Sequence, residues 1–381
     1  MDRRKFLATS AAAAAVPAFG RAASTGSPPP SPLRVNFTSD GLQLNPRDYA
    51  SLLHEIATTQ ELEPDNYSLG GEIAKLEALF AERLGKQAAM YVPTGTLANH
   101  LAVRTLAGTH RRVIVQAESH LYNDSGDGAT TLSGLNLIPL GEGSTGIALD
   151  DVKRAVERAR GGRVELAVGA ISIENPVRRR NHEMVEPAEL DRLCDYAREQ
   201  GIRLHLDGSR LFNLPQHSGR SVREHAARFD TVYVSLWKHF NGASGAILAG
   251  DASFIDGLFH ARRMFGGALP QAWSQIAPVP RYLDGYEANY ARAWQAADEV
   301  IALLEAAPGI KSRKLEHGTS LFFLKTPAVD AERVVARASE RGIGLARPRP
   351  DTGEFPMLVN TSILRQTPAD IARSLLDALT G

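Results

Sequence analysis

The chain has 381 residues, 43% of them hydrophobic, and its 43 basic side chains balance 43 acidic ones. A chain of this size can bury a deep core and predicts more than one domain. The zero net charge gives no electrostatic reason to expect nucleic acid or an anionic membrane as a partner. The single cysteine, Cys194, excludes a disulfide framework within the chain, and its apolar helical setting predicts a buried structural thiol.

Residues 1–32 are predicted to be an export signal followed by a Pro/Ser-rich linker. Arg3 and Arg4 come just before an alanine-rich apolar run, residues 8–18, and a small-residue site follows at Arg21-Ala22-Ala23. This order is typical of a cleavable signal, and the twin arginine indicates the translocation route for folded proteins. The apolar run is too short to span a bilayer. We therefore expect a periplasmic or secreted protein whose mature chain has no membrane span.

From residue 33 onward, helical and strand patterns alternate. The apolar periodicity predicts helices over residues 71–84, 96–106, 149–159, 187–200 and 254–265. Short apolar runs predict strands over residues 88–92, 113–116, 135–139, 164–173, 204–207, 231–235 and 246–249. Several runs are apolar on both faces, as in a sheet that helices cover on both sides. The pattern predicts an α/β domain over residues 33–280 with a largely parallel sheet.

Residues 281–381 predict a smaller second domain. A long helical pattern runs over residues 282–306. It is followed by strand, helix, strand and helix patterns at residues 321–325, 331–341, 357–360 and 368–379. This order predicts a compact α+β domain that the long helix joins to the first domain.

Two strand ends carry residues suited to chemistry. Asp207 ends an apolar strand, and ligands of open α/β sheets bind outside the carboxyl ends of strands. A carboxylate there can hold a pyridine nitrogen protonated, although it can equally cap the next helix. Lys238 follows the next strand, where Trp237 and Phe240 favour a partly desolvated amine that can form an imine. A lone lysine at a strand end is more often a surface residue. Because Asp207 ends the preceding strand, imine formation by Lys238 is the favoured interpretation.

Two further segments suit an anionic aromatic ligand. Thr94-Gly95-Thr96 stands between a strand and a helix, where backbone N–H groups, the helix dipole and the Thr96 hydroxyl can bind a phosphate. Alone, this motif also fits a plain helix cap. His120 follows another strand and offers an imidazole that can stack on a ring or move a proton, although single histidines are usually structural.

Together these motifs resemble the threonine aldolase/β-eliminating lyase family of fold-type-I pyridoxal-phosphate enzymes. The resemblance covers residues 35–380, and its sharpest motif is Leu-His-Leu-Asp-Gly-Ser-Arg-Leu-Phe-Asn at residues 204–213. Further matching segments, in order, are residues 37–40, 66–67, 75–77, 93–96, 119–120, 238, 265–268 and 271–272. The resemblance implies a PLP-dependent transferase-like fold, with a mostly parallel sheet covered by helices and a smaller α+β C-terminal domain. It also implies pyridoxal 5'-phosphate as the cofactor.

The resemblance implies a role for each matching cofactor residue. Lys238 would bind the cofactor covalently, and Lys238 and His120 would be catalytic. Asp207 would pair with the pyridine nitrogen, and His120 would also stack on the ring. Gly95 and Thr96 would bind the phosphate.

The resemblance also implies substrate contacts and an assembly. Arg210 and Ser39 would reach cofactor oxygens or the substrate carboxylate. The family forms homodimers or homotetramers with active sites at subunit interfaces, so Tyr67 would contact substrate in a neighbouring subunit. The small-molecule partner implied is an amino acid.

Two positions depart from the family pattern. Family aldolases carry a histidine soon after an Ile-Glu-Asn-like strand end, where it handles the substrate hydroxyl, and here Val177 stands there. They also carry an arginine at the start of a late strand to grip the substrate carboxylate, and here Met357 stands there. The candidates to replace that arginine are Arg347, Arg349 and Arg365. Both departures fall on substrate residues and leave the cofactor set intact.

The predicted function is therefore a pyridoxal-phosphate-dependent lyase that cleaves a β-hydroxy amino acid between Cα and Cβ into glycine and an aldehyde. β-Elimination and racemisation stay open, because the cofactor residues do not dictate which bond breaks. A non-catalytic pyridoxal-phosphate-binding protein is the alternative of another class. The Gly-x-Gly-x-x-Gly run at residues 141–146 does not open directly into a helix, which disfavours a dinucleotide site. No residue cluster has zinc-ligand spacing, so no metal is expected.

Overall fold

The structure is a computed structural model that describes residues 34–164 and 166–380. The predicted export signal and linker, residues 1–32, lie outside the described residues. The strands are β1 (Val35–Asn36), β2 (Ala88–Val92), β3 (Arg112–Gln116), β4 (Asn136–Leu140), β5 (Val168–Glu174), β6 (Arg203–Asp207), β7 (Thr231–Ser235), β8 (Ala246–Gly250), β9 (Lys311–Lys314), β10 (Leu321–Lys325), β11 (Ile343–Gly344) and β12 (Phe355–Leu358).

The helices are α1 (Pro46–Thr59), α2 (Gly71–Leu84), α3 (Gly95–Ala107), α4 (His120–Asn123), α5 (Gly128–Ser133), α6 (Leu149–Arg160), α7 (Pro187–Glu199), α8 (Pro215–Ser218), α9 (Val222–Ala227), α10 (Ala252–Asp256), α11 (Phe259–Met264), α12 (Trp273–Ile276), α13 (Val279–Leu283), α14 (Tyr286–Glu305), α15 (Ala331–Glu340) and α16 (Pro368–Thr380). None of the helices in the described part of the chain combines the length and the apolar character needed to cross a membrane.

Strands β2 to β8 form a seven-stranded sheet in the order β2-β8-β7-β6-β5-β3-β4. Only β8 runs against the others, so the predicted largely parallel sheet is confirmed. Helices cover both faces: on β3, Val113 and Val115 pack in a cluster with α3, while Ile114 packs in the cluster that contains α6 and α7. This two-sided burial explains the continuous apolar runs of the strands. The carboxyl ends of β5, β6 and β7 therefore lie side by side at one edge.

The C-terminal part holds a second sheet of three antiparallel strands in the order β12-β10-β9, which packs with α14, α15 and α16. Strand β1 pairs in parallel with β11, with Val35 opposite Ile343. This pairing ties the segment that carries Ser39 and Asp40 to the C-terminal elements. The boundary predicted at residue 280 stays a prediction.

Some predicted elements were wrong in extent. The helix expected over residues 254–265 is two short helices, α10 and α11, because the chain turns at Gly257, a poor helix former. The strand expected from residue 164 begins at Val168, and Val164 and Leu166 are 70% and 49% exposed, so their apolar character does not reflect burial. The late strand expected over residues 357–360 is Phe355–Leu358.

Candidate active site

A cavity of about 140 Å³ opens at the carboxyl ends of β5, β6 and β7, beside the N-terminus of α3. Its lining residues are Thr94, Gly95, Thr96, His120, Glu174, Arg178, Asp207, Ser209, Arg210, Tyr233, Trp237 and Lys238. All six predicted cofactor residues are among them. The tertiary structure thus brings together six residues that span 143 positions of the chain, from Gly95 to Lys238.

A second cavity of about 570 Å³ adjoins the first, and Trp237 and Lys238 line both. Ser39 lies in its wall, together with apolar side chains from the first helix and the loop before it, such as Leu44 and Leu53. Lys238 therefore stands between a small polar cavity and a larger one with a more apolar wall.

Lys238 follows β7, and its Nζ lies 4.8 Å from the centre of the Trp237 ring. Burial, and then the positive charge of Arg210, lower the pKa of Lys238 to about 8. The carboxylates of Asp40, Asp207 and Glu174 oppose this shift without cancelling it. A lysine with this pKa supplies a substantial fraction of neutral, nucleophilic amine near neutral pH.

Glu174 is a site residue that the sequence reasoning missed. It ends β5 directly opposite Asp207 on β6, and its carboxylate accepts the backbone N–H groups of His120 at 2.6 Å and Arg178 at 2.8 Å. Burial, and then the charge of Asp207, raise the pKa of Glu174. Glu174 thereby fixes the start of α4. The strand-end rule that identified Asp207 would have identified Glu174 as well.

His120 begins α4 and lines the cavity. Its Nδ1 is buried, and it has no hydrogen-bond partner among the described residues. Buried polar atoms are nearly always paired, so this nitrogen is available to a bound group, a substrate atom or an ordered water.

Gly95 opens α3 in a place where no side chain fits. A Cβ built on Gly95 would lie 1.9 Å from Tyr233 Oη, far inside van der Waals contact. Thr94 caps the helix by accepting the Leu97 N–H at 3.2 Å, and the first N–H groups of any helix lack partners within it. This helix start lies in the cavity wall and suits a phosphate. Lys238, Asp207, His120 and the start of α3 together fit pyridoxal phosphate.

Arg210 forms a bidentate ion pair with a neighbouring carboxylate. Its Nε and Nη2 donate to Asp40 Oδ1 and Oδ2 at 2.7 and 2.8 Å, and both side chains are buried. Burial alone would raise the pKa of Asp40, but the Arg210 guanidinium holds it well below its usual range. The bidentate face of Arg210 therefore points to Asp40. Its predicted contact with a cofactor or substrate stays a prediction.

The two remaining predicted substrate residues, Ser39 and Tyr67, do not line the cavity of about 140 Å³. Ser39 lines the second cavity, and its hydroxyl donates to the Gly41 carbonyl at 3.0 Å. Tyr67 lines neither cavity, its side chain is 43% exposed, and the Arg263 guanidinium lies 4.7 Å from its ring centre. The role of Tyr67 in a neighbouring subunit stays a prediction.

The two departures from the family pattern are both buried. Val177 and Met357 are fully buried in the main core and line neither cavity. The three candidate arginines are also occupied elsewhere: Arg347 pairs with Glu332, Arg349 with Asn181 and Asp351, and Arg365 with the carbonyl of Arg34. No arginine in this set therefore faces either cavity.

A family model described as beta-eliminating lyase matches residues 54–326, more than half of the chain. The chain therefore belongs to the beta-eliminating lyase family. This confirms the family and the fold-type-I architecture predicted from the motifs.

Individual relatives agree. A low-specificity L-threonine aldolase from Candida albicans is 30% identical over 55% of this chain and 56% of that protein. An alanine racemase from Cochliobolus carbonum is 29% identical over 52% of this chain and 50% of that protein. The chain spans about half the length of these curated relatives. A solved structure from Listeria monocytogenes, provisionally described as an L-allo-threonine aldolase, is 29% identical with a TM-score of 0.72, covering 88% of this chain and 95% of that one.

Proposed function

We propose that this chain is a pyridoxal-phosphate-dependent lyase that cleaves a β-hydroxy amino acid between Cα and Cβ, giving glycine and an aldehyde. The observation that carries the proposal is the meeting of Lys238, Asp207, His120 and the start of α3 in one cavity. Pyridoxal phosphate, when bound, supplies an electron sink for the electron pair left on Cα. The likeness to threonine aldolases supports the same reaction.

In this proposal the residues divide the work by their chemistry. Lys238 holds the cofactor covalently, since its lowered pKa leaves a neutral amine. Asp207 holds the pyridine nitrogen protonated, and the N–H groups at Gly95 and Thr96 bind the phosphate. The free Nδ1 of His120 accepts the proton of the substrate hydroxyl as the Cα–Cβ bond breaks, which leaves the aldehyde. Return of that proton from His120 to Cα completes glycine and leaves His120 neutral again.

Covalent labelling tests the cofactor site. Purified protein is expected to be yellow, and borohydride is expected to fix the cofactor on Lys238. Lys238→Ala is expected to lose the label and keep the fold. Lys86→Ala is the matched control, since Lys86 is also half-buried with a lowered pKa but donates to the Phe229 carbonyl away from the cavity. A colourless protein, or a label on another residue, would contradict the proposal.

Racemisation is the second candidate, and the likeness to an alanine racemase favours it. β-Elimination uses the same cofactor residues. The products separate the three reactions: glycine and an aldehyde from L-threonine, ammonia and a 2-oxo acid from L-serine, or D-alanine from L-alanine. A yellow protein that turns over none of a panel of amino acids would point to a cofactor-binding protein without activity.

We also propose a homodimer or homotetramer with shared active sites. Three residues that line the cavity are nevertheless exposed: Thr94, Thr96 and Trp237. Tyr67 is also exposed, and it lines neither cavity. A second subunit would cover these groups. Light scattering gives the assembly, and mixing Tyr67→Ala with Lys238→Ala tests the sharing. Recovered activity on mixing two inactive variants supports it, and no recovery after subunit exchange argues against it.

Finally, we propose export through the twin-arginine route. The support is the sequence of residues 1–32 alone. Replacing Arg3 and Arg4 by lysine is expected to leave the protein in the cytoplasm. Unchanged activity in the periplasmic fraction would reject this route.

A further inference from the structure

Four buried side chains form a hydrogen-bonded chain, here called the relay, that runs from Thr231 through His205 and Asn99 to Asp207. Thr231 Oγ1 lies 2.9 Å from His205 Nδ1, and His205 Nε2 lies 2.9 Å from Asn99 Oδ1. Asn99 Nδ2 lies 2.5 Å from Asp207 Oδ2. Each of the four residues is at most 3% exposed. A polar chain this deep in a core is costly unless every member is paired.

The fold explains how the relay forms. Strand residues two apart point to the same face, so His205 and Asp207 on β6 both face α3, where Asn99 lies one turn into the helix. Thr231 is the register partner of His205 on β7. The relay therefore joins a helix and two strands behind the cavity, and only Asp207 lines the cavity itself.

Chemistry fixes the direction of every hydrogen bond. A carboxylate only accepts, so Asn99 must donate its amide N–H to Asp207 and turn its carbonyl oxygen to His205. Nε2 of His205 must then carry a hydrogen. Burial lowers the pKa of His205 to about 4, which keeps the ring neutral and leaves Nδ1 to accept the Thr231 hydroxyl hydrogen. All three donors point toward Asp207, and such bonds polarise one another.

We propose that Asn99, His205 and Thr231 are positioning residues that hold Asp207 in the orientation needed to keep the cofactor's pyridine nitrogen protonated. This inference rests on the proposed function. Other charged or titratable groups also act on the same site, namely Glu174, Arg210, Tyr233 and Lys238. They are unchanged in relay variants, so a comparison of variants isolates the relay.

The test follows the visible absorbance of the pyridoxal-phosphate-loaded enzyme across pH. In Asn99→Leu and His205→Leu, the midpoint of the absorbance change is expected to rise by about one pH unit, a tenfold change in proton affinity. The reason is that a pyridine nitrogen without its proton withdraws less electron density from the linkage between the cofactor and Lys238. That linkage then keeps its own proton, and its yellow colour, to higher pH. Because the relay acts in series, the double variant is expected to shift no further than either single variant.

Two variants separate polarity from packing. His205→Gln can still donate to Asn99 and is expected to restore the wild-type midpoint. His100→Leu removes a buried histidine from α3, the helix that also carries Asn99. His100 contacts Ser133 and not the relay, so this variant is expected to keep the wild-type midpoint. A shift in His205→Gln as large as in His205→Leu would mean a packing effect and would overturn the inference.

Unmoved midpoints in both leucine variants would also overturn it. If either fails to fold, Asn99→Ser and Thr231→Val decide instead, since both break the relay with a smaller change of volume, and unmoved midpoints in both count against the relay. A wild-type enzyme that never becomes yellow rejects the proposed function. A yellow wild type with an unresponsive relay rejects this inference alone.

Discussion

Arg210 and Asp40 form a buried bidentate ion pair, with N–O distances of 2.7 and 2.8 Å, although 170 residues separate them. The pair links the strand-end loop after β6 to the N-terminal segment beside β1. It therefore anchors one wall of the active site to the part of the chain that pairs with β11.

Replacing Asp40 by asparagine is expected to lower the free energy of unfolding by about 3–5 kcal/mol, because it leaves a buried guanidinium without its counter-charge. Urea unfolding followed by circular dichroism measures the change. Glu332→Gln is the control, since it breaks the ion pair between Glu332 and Arg347, two side chains that are each more than half exposed. This variant is expected to leave the free energy of unfolding unchanged. Similar small effects in both variants would refute the importance of the buried pair.

Gly95→Ala is expected to weaken pyridoxal-phosphate binding about 5- to 150-fold, since overpacking typically costs about 1–3 kcal/mol. The added methyl would meet the Tyr233 ring, so either that ring or the start of α3 must move. Fluorescence titration with the cofactor measures the affinity. Gly128→Ala is the control. Gly128 begins α5, and a Cβ there would lie at an ordinary 3.6 Å from its nearest neighbour, His100 Nδ1, so this variant is expected to bind the cofactor as the wild type does. Equal affinities in the two variants would show that the close approach at Gly95 is immaterial.

The free energy of unfolding is expected to fall as pH drops from about 6.5 to about 4. Burial lowers the pKa of five imidazoles to about 3 or 4: His182, His205, His217, His225 and His239. Between their folded pKa and 6.5, the unfolded chain binds protons that the folded chain does not, which removes at most about 1.4 kcal/mol per pH unit for each group.

Two carboxyl groups, one buried and one half-buried, act in the opposite sense. Burial raises the pKa of Glu77 to about 7 and also raises that of Glu174, so each favours the folded state at lower pH. The imidazoles outnumber them, and the net slope is expected to be positive. Urea unfolding at several pH values measures this slope. His217→Gln is expected to flatten the slope, and His54→Gln, at an exposed position, is the control. A flat or negative slope in the wild type would contradict this balance.

Cys194 is expected to resist thiol reagents in the folded protein. Its side chain is fully buried on α7, and burial raises the pKa of the thiol to about 11, so little thiolate is present. The predicted buried thiol is thereby confirmed. Iodoacetamide labelling read by mass spectrometry should follow the unfolded fraction as urea increases, since the chain has one cysteine. Rapid labelling without urea would show that α7 opens locally.

Local sequence patterns were enough to predict the sheet, the family and the positions of Asp207 and Lys238 at strand ends. These follow from local rules: apolar strands end at one edge of a parallel sheet, and ligands bind at that edge. The helices with clear apolar periodicity, such as α2 and α3, were also predictable. The extent of β5 was not, because an apolar residue such as Val164 can lie in an exposed turn.

The groups that contact Asp207 and Arg210 could not be predicted from the sequence and follow from the packing of the folded chain. Asn99 reaches Asp207 because one face of α3 lies on β6, and Asp40 reaches Arg210 because β1 pairs with β11. Neither contact has a signal in local periodicity, since each depends on how two distant elements are packed and rotated. Local sequence patterns thus identify Lys238 and Asp207 as candidates for the proposed cofactor site, while the packing of distant elements fixes which side chains contact them.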